Sequence, residues 1–172
     1  MANLIAHTGV GRILVRAARV GGTITTDGGL VEVLYTGGPT TLRSGGGDIV
    51  VRQAAGPIDA ETHSGDIIIT TDPQQKTPRV GAHTARGNVT VNLSTHAGAD
   101  VEATVLTSDR DAEAIYSDFK GLEIRKEQVG GKTKVRATGK INGGGERLEL
   151  YAEEGTIHIS SSTVSPASVT NQ

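Results

Sequence analysis

The sequence predicts an all-β chain wound as a single-stranded β-helix-like solenoid with short irregular coils, the pattern specifying neither hand. Three observations lead there. Glycine-led aliphatic strands recur along the chain: "GDIVV" from Gly47, "SGDIIIT" from Ser64, "GNVTV" from Gly87 and "GTIHI" from Gly155. Most of the remaining sequence alternates apolar and polar residues with period two, the signature of half-buried strands. Aromatic residues make up only 2 % of the chain while 24 of its 172 residues are glycine, so a core of Ile, Val, Leu, Ala and Thr has to be thin and its turns regular. An antiparallel β-sandwich or open β-roll is the alternative, because short strands with frequent turns would also satisfy these patterns.

Taken in order, the alternating segments are "GRILVRA" (11–17), "LVEVLYT" (30–36), "NVTVNLS" (88–94), "ADVEATVLTS" (99–108), "AEAIYS" (112–117), "LEIRKE" (122–127), "KTKVRAT" (132–138) and "RLELYAE" (147–153). Each reads as a half-buried strand. No segment carries an apolar stripe at three- and four-residue spacing without a glycine or a β-branched run breaking it, so no helix is expected.

The glycines set the register. Gly47, Gly65 and Gly87 are 18 and 22 residues apart. Aligning on them brings Leu42, Ala60 and Ala82 into one column, Ile49, Ile67 and Val89 into a second, and Val51, Ile69 and Val91 into a third. Columns of like side chains are expected where successive coils stack about 4.8 Å apart. Gly22 with Ile24 extends the alignment backward, and Gly155 with Ile157 and Ile159 resumes it near the end. The 68 residues between Gly87 and Gly155 suffice for three approximate coils, of which residues 95–130 are the least regular and the natural place for grafted specificity. The expected domain is a single solenoid over residues 1–160, followed by a polar tail or linker at 161–172.

Turn chemistry accounts for Ser64, Gly65, Asp66, Gly47, Asp48, Gly87, Asn88 and Gly155. Glycine takes backbone angles closed to bulkier residues, and short polar side chains hydrogen-bond the turn backbone. Asp48 and Asp66 would lie one coil apart; calcium needs about six oxygens, and Asn88 offers only one more. The stretches "RSGGGDIV" and "INGGGERLEL" introduce strands and lack the Gly-Lys-Ser/Thr ending of a phosphate loop, so they read as coil corners.

The segments "IDAETHSGDIIIT", "ARGNVTVNLS" and "GGGERLELYAEEGTIHIS" together resemble a bacterial adhesin-domain family of unknown function, whose members repeat short strands ending in a Ser-Gly-Asp turn. The likeness covers most of residues 9–160 and implies a β-helix-like solenoid in a cell-envelope protein. The sequence departs from the motif where Arg86 and Glu154 replace the serine and where Asn88 and Thr156 replace the aspartate. The resemblance therefore carries no catalytic or ligand-binding residue onto this chain.

Catalytic and metal sites are not expected. There is no cysteine, which removes disulfides and thiolate chemistry. His7, His63, His83, His96 and His158 form no HxH or HExxH pattern, although the alignment sets His83 over Glu61 and His63 over Ala85. The rival class is a carbohydrate-active β-helix enzyme, a polysaccharide lyase or hydrolase, using Asp48, Asp66, Glu61 and Arg52, since stacked coils could space two carboxylates for glycoside chemistry. Against it, Tyr35, Tyr116, Tyr151 and Phe119 are scattered and form no repeated platform for sugars. Asp109, Arg110, Asp111, Asp118 and Lys120 read as a solvated rim. Lys and Arg total 17 against 19 Asp and Glu, a balance with no basic footprint for nucleic acid, and no stretch reaches the roughly 18 apolar residues of a membrane helix.

The expected function is a non-catalytic structural or interaction module without cofactor. Its partner would be a protein or glycan surface, with homotypic contacts through ends or strand edges, and its setting the bacterial envelope or exterior. The targeting or anchoring segment that such a setting requires is not evident in "MANLIAHTG", which has no basic region followed by an apolar run.

Overall fold

The computed structural model describes residues 3–162. Sixteen strands follow one another without a helix: β1 (Leu4–Val10), β2 (Ile13–Val15), β3 (Gly22–Gly28), β4 (Val31–Val33), β5 (Thr40–Ser44), β6 (Ile49–Ala54), β7 (Ile58–Thr62) and β8 (Ile67–Thr71). Then come β9 (Val80–Thr84), β10 (Val89–Ser94), β11 (Ala99–Thr107), β12 (Ile115–Ser117), β13 (Leu122–Val129), β14 (Lys132–Ile141), β15 (Glu146–Glu153) and β16 (Ile157–Ser162). They form two sheets, one of nine strands in the order β1-β3-β5-β7-β9-β15-β11-β14-β13 and one of seven in the order β12-β16-β10-β8-β6-β4-β2. Through β10 the chain alternates between the sheets, each pass laying one strand on each and each new strand running parallel to the last.

Alternation along each strand sends one set of side chains between the sheets. Leu42 faces Ala60 and Ala60 faces Ala82 in one sheet. In the other, Ile49, Ile67 and Val89 stand in one column and Val51, Ile69 and Val91 in the next, with Ile157 and Ile159 continuing both. All but the alanines are at most 1 % exposed. Stacking like on like is what a parallel register does, and it fills the narrow interior without aromatic rings.

Three sequence expectations are corrected. Ile24 does not belong under Ile49: it pairs with Leu42 in the nine-stranded sheet. Counting back from Gly47 in steps of 18 reaches Gly29 and Gly11, and Val31 and Ile13 occupy the column instead. The segment Leu122–Val129 is a strand but not a half-buried one, since all of it beyond Leu122 is exposed; its two faces extend past the end of the opposing sheet. Finally, the stretch from Gly87 to Gly155 does not add three successive coils. After β10 the chain skips a place, lays down β11 and β12, turns back through the antiparallel hairpin β13–β14, and returns so that β15 fits between β9 and β11 and β16 between β10 and β12. The return turn is held by Asn142, itself at φ 47°, whose amide donates to the carbonyls of Thr95 and Ala97 at 3.0 and 2.9 Å.

The polar segment expected from residue 161 begins as part of β16, which runs to Ser162, and from 163 onward lies outside the described residues.

Candidate functional site

The corner glycines explain the repeated motif. Gly11, Gly29, Gly47, Gly65, Gly87 and Gly155 stack in one line, and a Cβ placed on Gly87 would lie 2.1 Å from the Gly65 carbonyl oxygen. The polar residue that follows acts between layers and not within its own turn. Asp48 Oδ1 accepts the Asp66 N–H at 2.8 Å, Asp66 Oδ1 accepts the Asn88 N–H at 2.8 Å, and Asn88 Oδ1 accepts the Thr156 N–H at 3.0 Å. Each oxygen satisfies a backbone donor that the sharp corner takes out of the sheet ladder. Beside them, Ser44, Thr62 and Thr84 donate to the carbonyls of Gly29, Gly47 and Gly65. Ser64 is half-buried in the same corner.

The four residues considered for hydrolysis do not converge. Asp48 and Asp66 stand in this corner; Glu61 lies on the outer face of the nine-stranded sheet, 3.5 Å from Arg43; Arg52 lies on the seven-stranded sheet and binds Glu32. Glu32, on β4, is nearly buried, with Arg52 of β6 on one side and Arg12, just before β2, on the other clamping it. Every carboxyl group whose pKa is displaced moves down. Glu32 is lowered by hydrogen bonds from Arg52 and Arg12, Glu102 by Arg147 and Arg136, and Glu154 by the side chain and backbone of Ser108 with Lys132. A general acid at neutral pH requires the opposite displacement. Among the described residues no three His, Cys, Asp or Glu side chains converge to hold a metal ion.

One shallow groove lies on the outer face of the nine-stranded sheet. In the outward row that runs Thr41, Asp59, Gly81, Glu149, the glycine interrupts the side chains. The resulting groove, about 370 Å³, is floored by strands β7 and β9. One wall is the ion pair Asp59–Arg79, at 2.7 Å. The opposite wall is Tyr151, whose ring meets the His83 ring edge-on with centroids 4.6 Å apart. Glu61 and Arg43 close the end next to His83. Partial burial raises the Tyr151 phenol above its ordinary pKa, with Glu153 adding to the effect and Lys132 opposing it, so the phenol is a neutral donor at physiological pH. The combination of an apolar ring edge, an imidazole and fixed carboxylate–guanidinium pairs suits a polar ligand with one flat apolar face.

Sequence alignment places His83 over Glu61, as found, but gives no hint of Tyr151, which arrives beside His83 only because β15 returns across 68 residues. On the other sheet Tyr116 stacks face to face on His158, centroids 4.7 Å and planes 20° apart. Two of the three tyrosines that look scattered in sequence thus each pair with a histidine on the adjoining strand.

No protein-family model, curated protein or solved structure matches this chain. Among the described residues no helix is long and apolar enough to cross a membrane.

Proposed function

We propose that the chain is a two-sheet β-solenoid of the bacterial adhesin-domain kind, serving as a non-catalytic interaction module of an envelope-associated protein. The ligand-binding part of the reading rests on the groove at Gly81, where Tyr151, His83 and the Asp59–Arg79 pair flank a position without a side chain and the Asp59 carboxylate leans over it. Its carboxylates are partnered by arginine, which favours recognition over acid–base turnover. A groove of this size accepts one or two sugar rings or a short polar peptide.

The test is a glycan and peptide binding screen with product analysis in the same wells. Saturable binding that Tyr151→Ala weakens about tenfold or more, with the probe recovered intact, is the expected result. Cleavage of any bound polysaccharide, abolished by Asp66→Asn or Glu61→Gln, would replace this reading with the carbohydrate-active enzyme.

A further inference from the structure

After β14 the chain has to cross the start of β11 to lay down β15 on its far side. It does so through a tight turn, Ile141–Gly144, closed by the Gly144 N–H donating to the Ile141 carbonyl at 3.0 Å. Both central residues take positive φ, Asn142 at 47° and Gly143 at 86°. A type I′ turn requires this, and Asn-Gly is its favoured pair because glycine and asparagine enter the left-handed region most readily. The turn lies against the segment that leads into β11, since a Cβ on Gly98 would come 2.4 Å from the Gly144 carbonyl oxygen. The Asn142 amide fastens it there through both of its bonds, to the carbonyls of Thr95 and Ala97.

We propose that Asn142–Gly143 is a deamidation site guarded by this latch, and that its conversion releases the turn. It is the one Asn-Gly pair in the chain. Glycine brings no side chain to hinder attack on the residue before it. The Gly143 N–H has no hydrogen-bond partner among the described residues, and open space surrounds the position of its missing Cβ. In the reaction the Gly143 nitrogen gives up its proton and attacks Asn142 Cγ. A C–N bond closes a five-membered imide, the Cγ–Nδ2 bond breaks, and Nδ2 leaves with that proton as ammonia. Water then opens the imide at either carbonyl to give aspartate or isoaspartate. One water is consumed, one ammonia is released, and nothing is oxidised or reduced.

The geometry acts on both sides of this step. Before it, the two hydrogen bonds hold the side-chain amide against Thr95 and Ala97, so attack waits for local opening of the turn. After it, an acceptor-only carboxylate oxygen faces two carbonyl acceptors where a donor stood. Isoaspartate also adds a carbon to the main chain of a turn that is already closed in four residues. What loosens is the seat of β15, the strand that fills the place between β9 and β11 and carries Tyr151 to His83. The residues that make this turn possible are therefore the ones that limit its lifetime.

Ageing the full chain at mildly alkaline pH, folded and in strong urea, with mass mapping of its peptides, tests the proposal. The mass gain separates deamidation from isomerisation at Asp27–Gly28, which leaves mass unchanged. Acid at residue 142 should accumulate at least about tenfold more slowly in the folded protein than in urea. Converted protein, separated by its added charge, should exchange amide hydrogens at the start of β15 at least about tenfold faster than unconverted protein, with β6 unchanged. Asn142→Asp should speed the same amides and lower the thermal midpoint; if that variant does not fold, the converted wild-type protein carries the comparison. Asn142→Gly keeps the required φ and cannot form the imide, so its β15 exchange should not change with age. Equal conversion in folded and unfolded protein, no acid at residue 142 in urea, or converted protein with β15 exchange unaltered would each overturn the proposal.

Discussion

The two ends of the molecule solve one problem in opposite ways. A parallel sheet two layers thick must stop somewhere, and wherever it stops a row of core side chains and backbone groups is left facing water. At the β13–β14 end the chain continues two strands past the shorter sheet; Val135 and Ala137 on β14 are at most 1 % exposed, and the charged strand β13 takes the solvent. Among the described residues no such hairpin lies at the β1–β2 end, and Ile13 and Val15, which occupy the same columns as fully buried Val31 and Val33, are half-covered. Even the side-chain ladder thins out: Thr26 stands where Ser44, Thr62 and Thr84 each bond a corner carbonyl, yet its hydroxyl is buried without a partner. The difference teaches that register alone does not complete a core. A strand's worth depends on having a neighbour on both sides.

The largest test of that contrast is truncation of inward side chains in different layers, Ile67 and Ile13 in one column of the seven-stranded sheet and Val135 on β14 of the nine-stranded sheet. Ile67→Ala should destabilise by about 3 kcal/mol and Val135→Ala by about 2, whereas Ile13→Ala should cost under about 1 kcal/mol, since its side chain already meets water. Urea titrations of dilute protein would measure all three; equal losses at Ile13 and Ile67 would show that the bare end is covered in solution.

Backbone crowding gives the next effect. Gly87 has φ 149° and a carbonyl oxygen where a Cβ would go, while Gly143, in the turn between β14 and β15, has φ 86° but open space around it. Gly87→Ala should therefore lower stability by about 2–3 kcal/mol and Gly143→Ala by about 1 kcal/mol, read as separate shifts in the thermal midpoint.

A smaller effect belongs to the interlayer ladder. Asp66→Ala removes the acceptor for the Asn88 N–H and should cost about 1 kcal/mol. Asp66→Asn keeps an oxygen in place, as Asn88 does in the next layer, and should be close to neutral. Added calcium should leave both melting curves where they are; an Asp66-dependent rise would mean that the ladder binds a cation.

The smallest is a pH effect near the bare end. The Glu32 carboxyl is lowered by Arg52 and Arg12, so it contributes stability above the unfolded carboxylate value of about 4 and loses it as pH falls through the lower folded value. Acidifying from neutral should thus destabilise the wild-type protein more steeply than Glu32→Gln. Parallel slopes in the acid limb of stability against pH would remove Glu32 from the account.

Much of the interior was legible in the sequence because a parallel register repeats itself. The 18- and 22-residue glycine spacings and the period-two aliphatic runs put Ile49 beside Ile67 and Ile67 beside Val89, as local steric rules and burial require. Ile24 departs from that column by phase alone, because Gly29 and not Gly22 is the corner glycine. What the sequence could not determine is the order in which layers stack once the repeat is interrupted. Nothing in the residues from Ser94 to Gly145 says that β11 must leave a vacancy for β15, because that choice depends on contacts made only after the hairpin has folded back. Tyr151 meets His83 for the same reason, so the groove depends on the return of the chain. Local pattern decided which side chains point inward; the long-range return decided which of the outward ones became neighbours.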